Sequence, residues 1–242
     1  MKTQMQKWQI SLLILFVATQ VVLEILAQTL LGQPLLGVEY FSIALCFILS
    51  VCSIKKQKFN FVVSIGLSFT LCADACLVLN TPPKQDIGMV FFSLSQITYA
   101  IYLMLYSTKK INIGNIISRI LGSALIVLIT YLVLKDKFDF LSAISMFYIY
   151  NLVLNMIFAF VDFKKHKFLS FGFVLFLICD IFIGLASANG TYLTISNQGL
   201  NNIINSNIAW LFYIPSQVLI ALSTIFDKPS ELPAPQNSTN KI

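Results

Sequence analysis

Eight apolar runs, each about as long as a bilayer is thick, divide this chain almost from end to end. A helix needs about 20 apolar residues to cross the hydrocarbon core. The runs fall at Gln9–Leu31, Val38–Ile54, Phe59–Leu79, Ile87–Ser107, Ile113–Leu134, Phe140–Val161, Phe168–Ala188 and Ile203–Ile225. The pattern leaves one fold class, an all-α polytopic membrane protein with eight transmembrane helices. Composition agrees, with 57% of the 242 residues hydrophobic and 11% charged, against about 45–50% and 25% in soluble domains. The formal charge of +6 does not mark a nucleic-acid binder, because the lysines stand in short clusters between the apolar runs. The first run is long and lacks the small-residue exit of a cleaved signal, so it is expected to remain as a helix.

The basic residues orient the path. Thirteen of the 16 Lys and Arg residues fall on one side, among them Lys55, Lys56, Lys58, Lys109, Lys110, Arg119, Lys164, Lys165 and Lys167. Only Lys84, Lys135 and Lys137 fall on the other. The positive-inside rule then puts both termini in the cytoplasm. Residues 1–226 are expected to form a single integral membrane domain, and the polar, Pro-rich residues 227–242 a disordered tail. The longest loop, Asn189–Asn202, is uncharged and carries the sequon pattern Asn189-Gly190-Thr191. A composition rich in Lys, Asn and Ile points to a bacterial inner membrane. The five cysteines show no zinc-type pairing and the only histidine, His166, lies in a basic loop. Neither a metal nor a cofactor is expected, and the cysteines read as packing residues.

Two carboxyls interrupt this apolar frame. Asp74 and Asp180 each sit inside a run long enough to span, where an ionised carboxylate costs roughly 2.5–3.5 kcal/mol on insertion scales. Ser64, Gly66, Leu71 and Asp74 have the same spacing as Ser170, Gly172, Leu177 and Asp180. Ser95-Gln96-x-x-x-Ala100 likewise echoes Ser216-Gln217-x-x-x-Ala221. These echoes predict a tandem repeat of four plus four helices, with halves at about residues 9–107 and 113–226. Four helices per half make the repeat parallel. Each aspartate then lies about fourteen residues from the cytoplasmic end of its helix, about 20 Å up. The two carboxyls are expected at matched depth, where they could share one cavity.

Further polar residues recur at helical spacing: Gln20, Glu24 and Gln28; Ser95, Tyr99, Tyr102 and Tyr106; Asn151 and Asn155; Trp210, Tyr213 and Gln217. Such stripes face protein or a wet cavity rather than lipid. Each is also what interhelical hydrogen bonding alone would require. For the aspartates, the corresponding structural reading is a protonated carboxyl bonded to Gln96, Tyr99 or Gln217.

The chain resembles the YhhN/lysoplasmalogenase family of eight-helix membrane proteins. The resemblance is carried by G-L-x-x-x-L-x-x-D-x-x-L (Gly66, Leu67, Leu71, Asp74, Leu77) and G-x-x-F-F-x-L-S-x-x-x-Y (Gly88, Phe91, Phe92, Leu94, Ser95, Tyr99). It extends to Asp180 and to Y-x-x-x-Q-x-L-I-x-x-S (Tyr213, Gln217, Leu219, Ile220, Ser223). Ala73 stands where the family usually has Gly, and Gln96 where it often has His. The resemblance implies hydrolysis of the vinyl ether bond of a lysoplasmalogen, a lysophospholipid substrate met in the bilayer. The products would be a fatty aldehyde and a glycerophospho-alcohol. That chemistry needs an acid to protonate the β-carbon, a base for water and negative charge beside the resulting cation, roles that two carboxyls fill in glycoside hydrolysis. Asp74 and Asp180 are the expected catalytic pair. Gln96, Tyr99, Tyr213, Gln217, Glu24 and Asn155 are expected to bind substrate or orient water. Two other readings fit the residues: a proton-coupled transporter of small molecules or lipid, and a membrane protein that binds lysolipid without turnover. A serine hydrolase does not fit, for there is no G-x-S-x-G and one histidine builds no triad.

Overall fold

The computed structural model describes residues 7–29, 36–54, 59–106, 113–189, 194–204 and 208–227. Among these the chain forms nine α-helices and no strand: α1 Lys7–Thr29, α2 Leu36–Cys52, α3 Asn60–Val78, α4 Gln85–Tyr106, α5 Ile113–Leu134, α6 Phe140–Val161, α7 Lys167–Ala188, α8 Gln198–Ile204 and α9 Ile208–Phe226. Seven spans are long and apolar enough to cross a membrane, one of them running from Gln198 to Phe226 through α8 and α9. Apolar side chains such as Ile113, Leu121, Val133 and Phe171 are more than half exposed. An outward-facing apolar surface on long helices is that of a multi-pass membrane protein.

Two boundaries differ from those expected. The last span starts earlier than Ile203, because Gln198–Ile204 are already helical as α8 and belong with α9 to the one span Gln198–Phe226. The polar loop expected at Asn189–Asn202 is therefore partly helical. Asn189 is engaged there: its Nδ2 donates to Asn201 Oδ1 at 2.6 Å, and its Oδ1 accepts from the Ile195 N–H. The rest of the sequon lies outside the described residues, as do the tail from residue 228 and the lysines at 55, 56, 58, 109 and 110. Helix α2, at 17 residues, measures about 26 Å, just under the roughly 30 Å core.

The centre of the bundle is built from α3, α4, α6, α7 and α9, with α3 lying along α4 and α7 along α9. Helix α1 rests on α2 and α9, and α5 rests on α6. Lipid tails are as apolar as leucine, so close packing rather than dehydration holds such helices together, and small residues mark the contacts. A Cβ on Gly66 of α3 would collide with the Tyr99 ring of α4. One on Gly172 of α7 would lie 2.8 Å from Ile220 Cγ1 and 3.2 Å from the Ser216 carbonyl of α9. The same device thus closes both helix pairs.

The ends of α3 and α7 are tied to α9. Asn60 Nδ2 donates to the carbonyl of Thr224 (2.6 Å). The N-terminus of α7 has no side-chain cap of its own at His166. Instead Asp227, just past α9, accepts the N–H groups of Phe168 (3.0 Å) and Leu169 (3.1 Å). Burial raises the Asp227 carboxyl to about 6, although those N–H bonds work against the rise. His166 beside it is buried against Tyr102 and Tyr106, and burial lowers its imidazole to about 4.

Candidate functional site

Asp74 lies four residues before the end of α3, and Asp180 eight before the end of α7. Measured from the other end, they stand fourteen and thirteen residues in, about 20 Å along each helix. Asp74 is 3% exposed and Asp180 is partly buried.

Each carboxyl receives a tyrosine hydroxyl from a facing helix. Tyr213, five residues into α9, donates to Asp74 and lies 2.9 Å from Oδ1 and 2.8 Å from Oδ2. Tyr148, eight residues into α6, donates to Asp180 Oδ2 at 2.6 Å. All three distances fall in the ordinary O–H···O range. The carboxyls' partners are thus these two tyrosines.

One aromatic cluster joins the two pairs. Phe92 of α4 packs on Tyr148 (ring centroids 5.6 Å), Phe176 (5.9 Å) and Tyr213 (6.4 Å). Phe176 of α7 packs in turn on Tyr148 (6.2 Å) and Tyr213 (5.4 Å). Tyr148 and Cys179 lie within electrostatic range of both Asp74 and Asp180. The result is one apolar aromatic cluster in contact with the phenol of each carboxyl–phenol pair. A low-dielectric surround of this kind strengthens whatever electrostatic contact is made within it.

The other residues singled out from sequence fall into separate groups. Asn155 Nδ2 donates to the side-chain and backbone carbonyls of Gln96, at 3.0 and 2.8 Å. Both residues are fully buried. Tyr99 lies against Gly66 and the Phe173 ring (5.5 Å), deeper in the bundle. Gln217 Nε2 donates to Ser216 Oγ at 3.2 Å. Glu24 Oε1 accepts from Gln28 on its own helix at 3.0 Å. Gln20, on the same stripe, bonds the side chain and carbonyl of Ser42 on α2. Of the six residues expected around the carboxyls, Tyr213 is the one bonded to an aspartate.

Two residues escaped the sequence reading. Tyr148 continues the Asn151–Asn155 stripe of α6 by one step toward its N-terminus, and that spacing could have revealed it. Glu39 is 6% exposed, one turn into α2, and interacts electrostatically with both Glu24 and Asp74. It lies within an apolar run, so the rule that flagged Asp74 applies to it equally. The described residues hold no group of three or more His, Cys, Asp or Glu side chains able to bind a metal.

The profile of the YhhN family matches residues 35–224, which take in both aspartates and both tyrosines. No curated protein and no solved structure matches the chain.

Proposed function

The chain belongs to the YhhN family, and from that premise and the geometry of the carboxyls we propose that it is a lysoplasmalogenase-like hydrolase. Its substrate would be the vinyl ether of a lysoplasmenyl-ethanolamine or -choline. The observation that carries the reading is the pairing of two intramembrane carboxyls, each with a phenol, around one aromatic cluster.

The two carboxyls differ, and the difference supports distinct roles. Tyr213 addresses both oxygens of Asp74, the arrangement of an acceptor-only carboxylate. Asp180 accepts at Oδ2 alone, leaving Oδ1 to carry and deliver a proton. Asp180 therefore protonates the β-carbon of the vinyl ether, and the π electrons leave the adjacent carbon as an oxocarbenium ion. Asp74 stabilises that cation and takes a proton from the attacking water. The resulting hemiacetal passes its hydroxyl proton to Asp180 as its bond to the glycerol oxygen breaks, Asp74 gives its proton to that oxygen, and a fatty aldehyde departs with both carboxyls restored. Phe92 and Phe176 would border the cation with apolar surface, which disfavours entry of further water.

The same proposal extends to arrangement. The chain reads as a parallel repeat with cytoplasmic termini in a bacterial inner membrane. The like contacts of Gly66 with Tyr99 and of Gly172 with Ile220 support the repeat.

Hydrolysis in deuterium oxide tests this reading. Purified protein should release aldehyde carrying one deuterium on the carbon next to the carbonyl, while the acyl-ester lysolipid is left intact. Ester cleavage, or lysolipid binding with no aldehyde, would overturn it.

A further inference from the structure

Away from the aspartates, α5 carries a buried cation without a counter-ion. Arg119 stands six residues into α5, about 9 Å from its start, and is 7% exposed. Its Nε donates to Asn115 Oδ1 at 3.2 Å and its Nη1 to Asn151 Oδ1 at 3.3 Å. The guanidinium carbon lies 5.2 Å from the centre of the Phe158 ring. All these neighbours are neutral. Nη2 is buried with no partner, and the one ion pair among the described residues, Lys165–Asp162, lies elsewhere. Of the ten acidic residues only Glu231 lies outside the described residues. A permanent charge at this depth wants an anion.

The hydrogen bonds lead from Arg119 to a groove. Asn151 Nδ2 donates to Ser123 Oγ at 3.2 Å. Ser123 lies at the floor of an apolar groove of about 590 Å³ between α5 and α6, lined also by Ile120, Val127, Tyr131, Phe138 and Phe147. The two helices touch closely below it, where Gly122 lets the Tyr150 ring approach and the Tyr150 hydroxyl donates to the Ser118 carbonyl. They part above it. The groove is large enough for an acyl chain, and its wall is almost wholly apolar. In the sequence, Lys109 and Lys110 come just before the Arg119 end of α5. A buried guanidinium between helices at that end suits a lipid phosphate.

We propose that the α5–α6 groove is a binding site for an anionic phospholipid, with its phosphate on Arg119 and one acyl chain along Ser123, Val127 and Tyr131. Phosphate oxygens would take the free Nη2 and share Nη1, the bidentate contact a guanidinium is shaped for. The chain fills the space where α5, whose one α-helical partner among the described residues is α6, would otherwise face the bilayer unsupported. This site is distinct from the carboxyl pairs and does not depend on the reaction assigned to them.

The test uses the full chain in neutral detergent, with phosphatidylglycerol or phosphatidylcholine added at equal concentration and retention read by native mass spectrometry. The parent should retain one phosphatidylglycerol and no phosphatidylcholine, and excess inorganic phosphate should leave that lipid in place. Arg119→Gln should lower retention by about tenfold or more, as the loss of one partner of a buried charge pair does. Val127→Trp, which fills the groove and leaves the charge, should lower it as well and stands as the test should Arg119→Gln fail to fold. Equal retention of the two lipids, displacement by inorganic phosphate, or a folded variant that holds phosphatidylglycerol as the parent does would overturn the proposal.

Discussion

His166 and Asp227 face opposite demands from acid, and the two should be separable by mutation. His166 is 1% exposed. Burial lowers its pKa from the ordinary 6.5 to about 4. The unfolded chain therefore takes up a proton that the folded chain refuses. The stability that His166 contributes is complete above pH 6.5 and is lost as pH falls through about 4. At about 1.4 kcal/mol for each tenfold change in proton affinity, the loss amounts to about 3 kcal/mol. Asp227 runs the other way. Burial raises its carboxyl from 3.8 to about 6, so its contribution is complete below 3.8 and is lost, again by about 3 kcal/mol, as pH rises through 6. Between pH 4 and 6 the two nearly cancel in the parent. His166→Phe keeps an aromatic ring against Tyr102 and Tyr106 but removes the titration. Asp227→Asn keeps an oxygen for the N–H groups of α7. Unfolding of detergent-solubilised protein, followed by circular dichroism at pH 4 to 7, gives each variant's stability relative to the parent. From pH 7 to 4 the His166→Phe protein should gain about 3 kcal/mol on the parent. The Asp227→Asn protein should gain by a like amount in the opposite direction, from pH 4 to 6. Parallel curves for parent and variants would refute the assigned titrations.

Other outcomes follow from the site and the packing. Tyr213→Phe and Tyr148→Phe each remove a hydrogen bond to a carboxyl worth about 1.5–3 kcal/mol. Aldehyde release should fall roughly 10- to 100-fold in either, with the protein still folded. Gly66→Ala forces a methyl into the Tyr99 ring. It should cost about 1–3 kcal/mol in thermal unfolding, and the further change Tyr99→Leu should recover most of that. Asn155→Leu leaves the buried Gln96 side-chain carbonyl without its donor and should cost about 1–3 kcal/mol, with a smaller effect on turnover than either tyrosine change.

The helices were legible because a spanning segment has to be long, apolar and self-bonded, a constraint each segment obeys alone. Helices α5 and α6 begin and end where hydropathy places them. The helical start at Gln198 was not legible, since Gln198–Asn202 read as part of the polar loop. The carboxyls were legible because their cost is local. Their partners were not. Tyr148 meets Asp180 from 32 residues away and Tyr213 meets Asp74 from 139, and periodicity says which face a residue occupies without saying which helix stands opposite. Gln96 and Asn155 illustrate the same limit, for each was visible as a buried polar residue but not as the other's partner. Arg119 counted from sequence as one more basic residue on the cytoplasmic side. Its burial between α5 and α6 follows from Asn115 and Asn151, which receive its hydrogen bonds.

The central claim is that Asp74 and Asp180 together hydrolyse a vinyl ether. Its most direct test is aldehyde release from lysoplasmenyl-ethanolamine by the purified parent, Asp74→Asn and Asp180→Asn proteins, each shown to be folded and monodisperse. The account predicts steady release by the parent and a fall of about 10²- to 10⁴-fold in each variant, the range for loss of a general acid or base. Turnover that survives either substitution, or a folded parent that releases no aldehyde, would contradict it.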